Sequence, residues 1–300
     1  MCSSDQVADI FPRMKDTPVP LPDGNFNVWF RPARPGSPTA ALVHGLTSTS
    51  RAWLPVIGHL PEDMGVIALD VRGRGESWQA PGPYDLKTIA EDIRRALDNF
   101  DIDKAIVVGH SMGAWIAALF AAGHPDRARR AILVDGALPT EWDESLDPEE
   151  VIEAAVGPAL ARLSLEFASE DDYREWWRQH PSLHGRWTEE MDEIFPHDLH
   201  RTGSTLRPRV NRQAVIQAGS DPVFDEKVVT AWERISVPTT LIVVDHGMLD
   251  DPGGFMPLEI AESAAETNPN IEVRLFENLN HYTVILGDGA PLVARVVAEG

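Results

Sequence analysis

Ile106-Val107-Val108-Gly109-His110-Ser111-Met112-Gly113-Ala114-Trp115 decides how the rest of the chain is read. An apolar run rich in β-branched residues enters it, and a small-residue, helix-forming run from Ala114 to Ala122 leaves it. β-Branched side chains suit a pleated strand, whereas alanine-rich text suits a helix. Between the two sits G-x-S-x-G, and strand, sharp turn, helix is the context in which that pattern forms a nucleophile elbow. A turn this tight leaves no room for side chains beside the serine, which accounts for glycine at 109 and 113. Ser111 is then held on a strained bend at the carboxyl edge of a sheet with its hydroxyl exposed. The following amide, that of Met112, points to where an oxyanion would form.

Working outward, the text before the elbow alternates strands with helices. Val19 to Asn25 followed by Phe26-Asn27-Val28-Trp29-Phe30 reads as a hairpin turning at Asp23-Gly24. Residues 1 to 16 read as a tail. Ala40-Ala41-Leu42-Val43 reads as a buried strand running into His44-Gly45-Leu46, and a helix is expected near Ser50–Leu60. The strand Gly65–Asp70, the loop Asp70 to Ser77, a helix over Leu86–Phe100 and the strand Lys104–Gly109 follow. Beyond the elbow, Ala131 to Gly136 reads as one more strand. Strands alternating with helices of this length predict a parallel sheet covered on both faces.

The alternation stops between residues 139 and 237, where the text is acidic, helical and rich in tryptophan: Trp142, Trp176, Trp177, Trp187 and Trp232. Helices are expected at Asp147–Leu165, Glu170–His180, Thr188–His200, Asn211–Ala218 and Phe224–Ile235. The sheet pattern resumes with a strand at Thr239–Val244, a helix at Pro257–Asn268, a strand at Ile271–Phe276 and a helix from Ala290. Three segments follow: a core over 1–138, a helical cap over 139–237 and the remaining core over 238–300. A cap belongs over the carboxyl ends of the strands, where open α/β sheets bind ligands.

The 300 residues carry 26 basic against 47 acidic side chains, a formal charge of −21. That balance argues against nucleic acid and anionic membrane surfaces as partners. A hydrophobic content of 43% supports a sizeable core, and a single cysteine, Cys2, excludes an internal disulfide and suits a reducing compartment. No apolar run approaches the ~18 residues of a membrane span, and no secretory leader is visible at Met1 to Asp16. A cytoplasmic protein is expected. His180 and His184 stand at i,i+4, but Pro181 breaks the helix that would align them, so no metal site is read. Gly73-Arg74-Gly75 lacks the third glycine of a dinucleotide fingerprint. His197 and His200 read as solvated residues of the cap.

Taken together, His44-Gly45, Asp70-x-Arg72-Gly73-x-Gly75-x-Ser77, Gly109 to Gly113, Asp135 and Asn280-His281-Tyr282 make the chain resemble the α/β-hydrolase fold superfamily. The resemblance implies an α/β protein with a mostly parallel eight-stranded sheet, helices on both faces and an inserted helical cap. It also implies a triad in the order Ser, acid, His. A serine hydroxyl is a poor nucleophile, so an imidazole must take its proton, and a carboxylate must hold that imidazole in one tautomer. Ser111 is the nucleophile and His281, after the last strand, is the base. His44 and His110 belong to motifs and read as structural.

The acid has more than one candidate. The commoner family pattern puts it in the loop after the strand Thr239–Val244, but aligned on Pro238 that position falls on Gly247. Asp135, at the end of the preceding strand, satisfies the order, and Val134-Asp135-Gly136 with Asn280–Thr283 resembles a bacterial subset of these hydrolases. Asp250, Asp251 and Asp245 are the alternatives. The resemblance puts the oxyanion amides at Leu46 and Met112. Trp53, Trp115, Trp142, Trp176 and Trp177 are candidates to line a substrate pocket.

The reading that follows is a cofactor-free serine hydrolase of a carboxylic ester or lactone, with a small, largely apolar substrate. Serine at the elbow argues against the epoxide hydrolase and dehalogenase branches, whose nucleophile is an aspartate. Hydrolysis of a C–C or amide bond by the same residues, and a receptor that keeps the fold without turnover, are the rivals.

Overall fold

A computed structural model of the chain describes residues 14–139, 150, 157 and 160–299. Its frame is an eight-stranded sheet in the order β1-β2-β4-β3-β5-β6-β9-β10. The strands are β1 (Lys15–Leu21), β2 (Gly24–Arg31), β3 (Thr39–Val43), β4 (Gly65–Leu69), β5 (Ala105–His110), β6 (Ala128–Val134), β9 (Thr239–His246) and β10 (Ile271–Asn280). Two short strands, β7 (Leu199–Thr202) and β8 (Thr205–Pro208), form a separate hairpin. β2 pairs antiparallel with both of its neighbours, and β3 to β6, β9 and β10 run parallel.

The central strands β3, β4 and β5 are buried at every residue, as expected where helices cover both faces. The covering helices are α1 (Leu54–His59), α2 (Leu86–Asn99), α3 (Met112–Gly123), α8 (Leu258–Thr267) and α10 (Ala290–Ala298). In α2 the Asp85 carboxylate caps the Thr88 amide, and Leu86, Ile89, Ala90, Ile93, Ala96 and Leu97 form one buried stripe. α3 is buried nearly all round, and its alanines let it lie close against the sheet. The hairpin turns at Pro22-Asp23, because Gly24 already pairs with Leu21, and β1 begins at Lys15 inside the expected tail. A further short helix, α9 (Thr283–Leu286), follows β10 directly.

Between β6 and β9 the described residues hold α4 (Glu170–Arg178), α5 (Glu189–Ile194), the β7–β8 hairpin, α6 (Arg212–Phe224) and α7 (Glu226–Val229). The expected helix at Thr188–His200 is cut short: it starts as expected after Thr188 but runs only from Glu189 to Ile194. Pro196 ends it, and the chain passes through a 3₁₀ turn at Pro196–Asp198 into β7. α6 runs six residues beyond the expected end at Ala218, and the Phe224–Ile235 text divides into α7 and a 3₁₀ turn. Most of Asp147–Leu165 lies outside the described residues. The His197 Nε2 atom is buried, against the solvated residue expected, whereas His200 stays partly exposed and stacks on Trp78 at 4.5 Å.

Backbone and side-chain bonds tie this insertion to the sheet. Asn211 N–H donates to Gly73 O at 2.7 Å, and the Asp221 carboxylate accepts from Leu86 N–H at 2.6 Å. No helix among the described residues is long and apolar enough to cross a membrane.

Candidate active site

Ser111, Asp135 and His281 each stand one residue beyond the carboxyl end of a parallel strand: β5, β6 and β10. Parallel register brings these ends to one edge of the sheet, the edge at which such sheets place ligands. Ser111 has φ 54° and ψ −126°, a conformation that costs on the order of 1–3 kcal/mol for a residue with a side chain. The elbow is over-determined by its glycines. A Cβ at Gly109 would meet the Gly113 carbonyl oxygen at 1.9 Å, and one at Gly113 would meet that of Val43 at 2.1 Å. Strand and helix thus touch backbone to backbone, and the serine has nowhere to relax.

The His281 Nδ1 atom lies 2.6 Å from Asp135 Oδ2, with both residues buried. Asp135 itself sits at φ 48°, and its amide donates to Ile242 O at 2.8 Å, so the carboxylate is aimed by a second strained bend. Burial pushes the Asp135 carboxyl above the ordinary carboxylate range, and the hydrogen bond from His281 pulls it back. With Nδ1 occupied, Nε2 is the nitrogen left for the cavity that His281 and Ser111 both line. The His281 ring is held between His110 and Phe255, each 4.7 Å away centroid to centroid. His110 Nε2 also meets the His281 carbonyl at 2.8 Å, which fixes the backbone that carries the ring.

The structure brings none of the alternative carboxylates to His281. Asp245 accepts from the amides of Asn278 and Leu279. Asp250 pairs with Arg186 and Asn280, and Asp251 accepts from the amide of Leu249. All three brace the β9 and β10 loops.

His44 sets the direction of the Leu46 amide. Its Nδ1 donates to the Gly45 carbonyl at 2.7 Å, while its Nε2 accepts from Val71 N–H at 3.2 Å. In a trans peptide the carbonyl and the following N–H point opposite ways. Holding the Gly45 carbonyl therefore turns the Leu46 N–H outward, and Leu46 lines the cavity beside Met112. Met112 opens α3, so its amide has no acceptor within the helix, and the helix dipole adds positive potential there. Arg74, fully buried, donates to the carbonyls of Leu46, Arg72 and Ala214 and clamps the same loop from behind.

Because His44 Nε2 accepts a hydrogen bond, the ring must stay neutral, and burial pulls its pKa down from 6.5 to about 4. His110 is displaced in the same direction, first by burial and then by the neighbouring His281. Between pH 6.5 and about 4 the unfolded chain takes up a proton at residue 44 that the folded chain refuses. The contribution of His44 to stability is therefore complete above pH 6.5 and is lost with acidification by about 1.4 kcal/mol per pH unit, with His110 adding to the loss. Urea unfolding at pH 6.5 and 5.0 checks this. His44→Asn should remove about 1.4 kcal/mol per pH unit from the slope, and an unchanged slope would contradict the assignment.

The cavity has a volume of about 370 Å³. Trp115, Trp177, Phe195, Phe255, Val223 and Leu286 give it a mainly apolar wall, with Thr47, Ser48, Thr49 and Asp198 as polar members. Of the five candidate tryptophans, Trp115 and Trp177 line it. Trp53 does not: it is fully buried in the core layer under α1, and its neighbour Ala52 reaches the cavity instead. Trp176 does not either, because adjacent residues on a helix face different ways and Trp176 packs edge-on against Trp177. Trp142 lies outside the described residues. His44, Arg74, Asp198 and Phe255 carry no pocket or positioning role in the sequence reading; His44 and Arg74 stand within motifs that could have flagged them, whereas Asp198 and Phe255 stand in none.

Residues 41–288 match the family model of the alpha/beta hydrolase fold. Among relatives, the lipase LipV of Mycobacterium tuberculosis (strain ATCC 25618 / H37Rv) is 37% identical over 106 residues, 35% of this chain and 40% of that protein. The soluble epoxide hydrolase of Corynebacterium sp. (strain C12) is 35% identical over 94 residues, 31% of this chain and 33% of its own. The first curated relatives are matched over less than half their own length, 48% and 39%. The crystal structure of E-2-(acetamidomethylene)succinate hydrolase superposes with a TM-score of 0.77 at 20% identity, covering 95% of this chain and 97% of that one. By a match across most of its length, and by the sheet order that carries its elbow, the chain belongs to the alpha/beta hydrolase fold family.

Proposed function

We propose that the chain is a serine hydrolase of carboxylic esters or lactones, working through an acyl-enzyme on Ser111. His281 takes the Ser111 proton as the hydroxyl attacks, gives it to the leaving alcohol, and then activates the water that releases the acid. Asp135 holds the His281 ring in the tautomer that leaves Nε2 free and stabilises the imidazolium. The amides of Leu46 and Met112 receive the oxyanion, and removing a comparable donor elsewhere costs roughly 3–4 kcal/mol. The 139–237 segment acts as a cap whose Trp177, Ile194, Phe195 and Val223 close the cavity against water.

One observation carries the reading: a 2.6 Å His281–Asp135 bond beside a strained serine in a single apolar cavity. The volume of about 370 Å³ stands near the lower end of ligand pockets, which favours small substrates. An epoxide-opening route through an elbow carboxylate has no residue to run on, since position 111 is serine.

Incubation with a fluorophosphonate is expected to add one phosphonyl group per chain, located by peptide mass spectrometry on Ser111. The Ser111→Ala protein should take up none. An unlabelled wild-type chain would support a receptor without turnover instead.

A further inference from the structure

Three successive carbonyls of the loop assigned to the oxyanion each meet a buried side chain. His44 Nδ1 lies 2.7 Å from Gly45 O, Arg74 Nε donates to Leu46 O at 2.8 Å, and Arg162 Nη2 donates to Thr47 O at 2.8 Å. His44 and Arg74 follow strands of the sheet, whereas Arg162 belongs to the insertion between β6 and β9 and is only 2% exposed. Its other terminal nitrogen, Nη1, donates to Asp198 Oδ2 at 2.7 Å and meets the Tyr173 hydroxyl, which itself donates to Asp198 Oδ2 at 2.6 Å. The guanidinium also stands 5.3 Å from the centre of the Trp177 ring, part of the cavity wall. One planar fork thus joins α4 and the 3₁₀ turn before β7 to the oxyanion loop.

The bond at Thr47 reaches the Leu46 amide through two peptide groups. Among the described residues the one cis peptide joins Gly82 to Pro83, so those of the loop are trans. Fixing the Thr47 carbonyl therefore sets the Ser48 N–H on the opposite side. That N–H donates to Gly45 O at 3.2 Å and closes a β-turn over residues 45–48. The Gly45 carbonyl in turn shares its peptide with the Leu46 N–H. Stability alone accounts poorly for Arg162, because an ion pair taken out of water gains little over apolar packing of the same size. We propose that Arg162 is a positioning residue: from the cap it holds the Thr47 carbonyl and, through the Ser48–Gly45 bond, keeps the Leu46 amide aimed at the oxyanion. This role rests on the hydrolase reading above, and it makes the insertion part of the oxyanion machinery as well as a cover.

The test compares two variants by kinetics and by melting temperature. Arg162→Lys keeps a charge beside Asp198 but loses the fork that reaches Asp198 and Thr47 O together. Arg162→Met loses the charge and every donor. In both, kcat toward p-nitrophenyl butyrate is expected to fall by about 10- to 100-fold with KM changed less than about threefold, because a misaimed amide is missed in the transition state and not in the ground state. Melting temperature should separate the two, since methionine leaves the Asp198 carboxylate buried without its cation and lysine does not. Activity that follows melting temperature, with the lysine variant near wild type, would reduce Arg162 to a structural ion pair and overturn the proposal. A raised KM with kcat intact would overturn it too, by moving Arg162 to substrate binding.

A second measurement needs no turnover and separates failure of this role from failure of the ester reading. Amide exchange followed by NMR should show the Ser48 N–H exchanging at least about 10-fold faster in Arg162→Lys than in the wild type, with Val108 of β5 unchanged. Faster exchange at Ser48 alone supports Arg162 as the tether of the loop even if no ester is cleaved. An equally protected Ser48 amide removes the proposal. Asp198→Asn, which leaves Arg162 in place but takes away its counter-charge, serves if neither Arg162 variant folds. It should speed Ser48 exchange by a smaller factor, and an unchanged rate there overturns the proposal in the same way.

Discussion

Ser111→Ala is expected to lower kcat toward an activated ester such as p-nitrophenyl butyrate by about 10⁶-fold, with KM changed only a few-fold. The size follows from what the hydroxyl does. Without it there is no acyl-enzyme, and the imidazole and carboxylate behind it have no proton to move. The amides of Leu46 and Met112 and the cavity itself survive, so a residual acceleration of about 10³–10⁴ over water should persist. Folding should be indifferent, because the Ser111 side chain makes no helix-capping hydrogen bond that alanine would forfeit. An unchanged melting temperature with lost turnover is the expected pair of results. A variant keeping more than about 1% of wild-type kcat would move the nucleophile elsewhere.

Legibility in the sequence followed how local each signal was. The elbow was readable because strand, glycines, serine and helix are contiguous and each has a short-range physical reason. The sheet order was readable as a class because buried parallel strands are continuous apolar runs. The insertion was read less well. The text Leu199 to Pro208 has only Leu199, Leu206 and Pro208 as apolar residues, too few to show alternation in sequence, so nothing but the Gly203 turn hinted at a hairpin. Pocket residues were the hardest, since they depend on which way a side chain leaves its element. Trp176 and Trp177 are neighbours in sequence yet only one faces the cavity, and Trp53 lost its place to Ala52. The Arg162–Asp198–Tyr173 cluster joins residues 11 to 36 positions apart, separations that no spacing rule anticipates.

Asp135→Asn should lower kcat by about 10⁴-fold while leaving the fold at least as stable as the wild type. The two halves of that expectation have one cause. Burial raises the Asp135 carboxyl, so the ionised group is held against a desolvation penalty and a neutral amide removes the penalty. The same amide harms catalysis. An Asn NH₂ directed at His281 Nδ1 donates where the carboxylate accepted, so it stabilises the tautomer whose proton sits on Nε2, and that ring cannot accept from Ser111. Asp245→Asn, Asp250→Asn and Asp251→Asn form the control set. Their carboxylates hold backbone amides, Asn280 and the partly exposed Arg186, and an asparagine oxygen replaces most of those acceptors. An exposed ion pair is worth about 0–1 kcal/mol, so these variants should keep kcat within about threefold. A collapse of activity in Asp250→Asn with Asp135→Asn nearly unaffected would transfer the acid to the β9 loop. That transfer would require the loop to rebuild itself around His281, because the ring's Nδ1 already lies 2.6 Å from a different carboxylate.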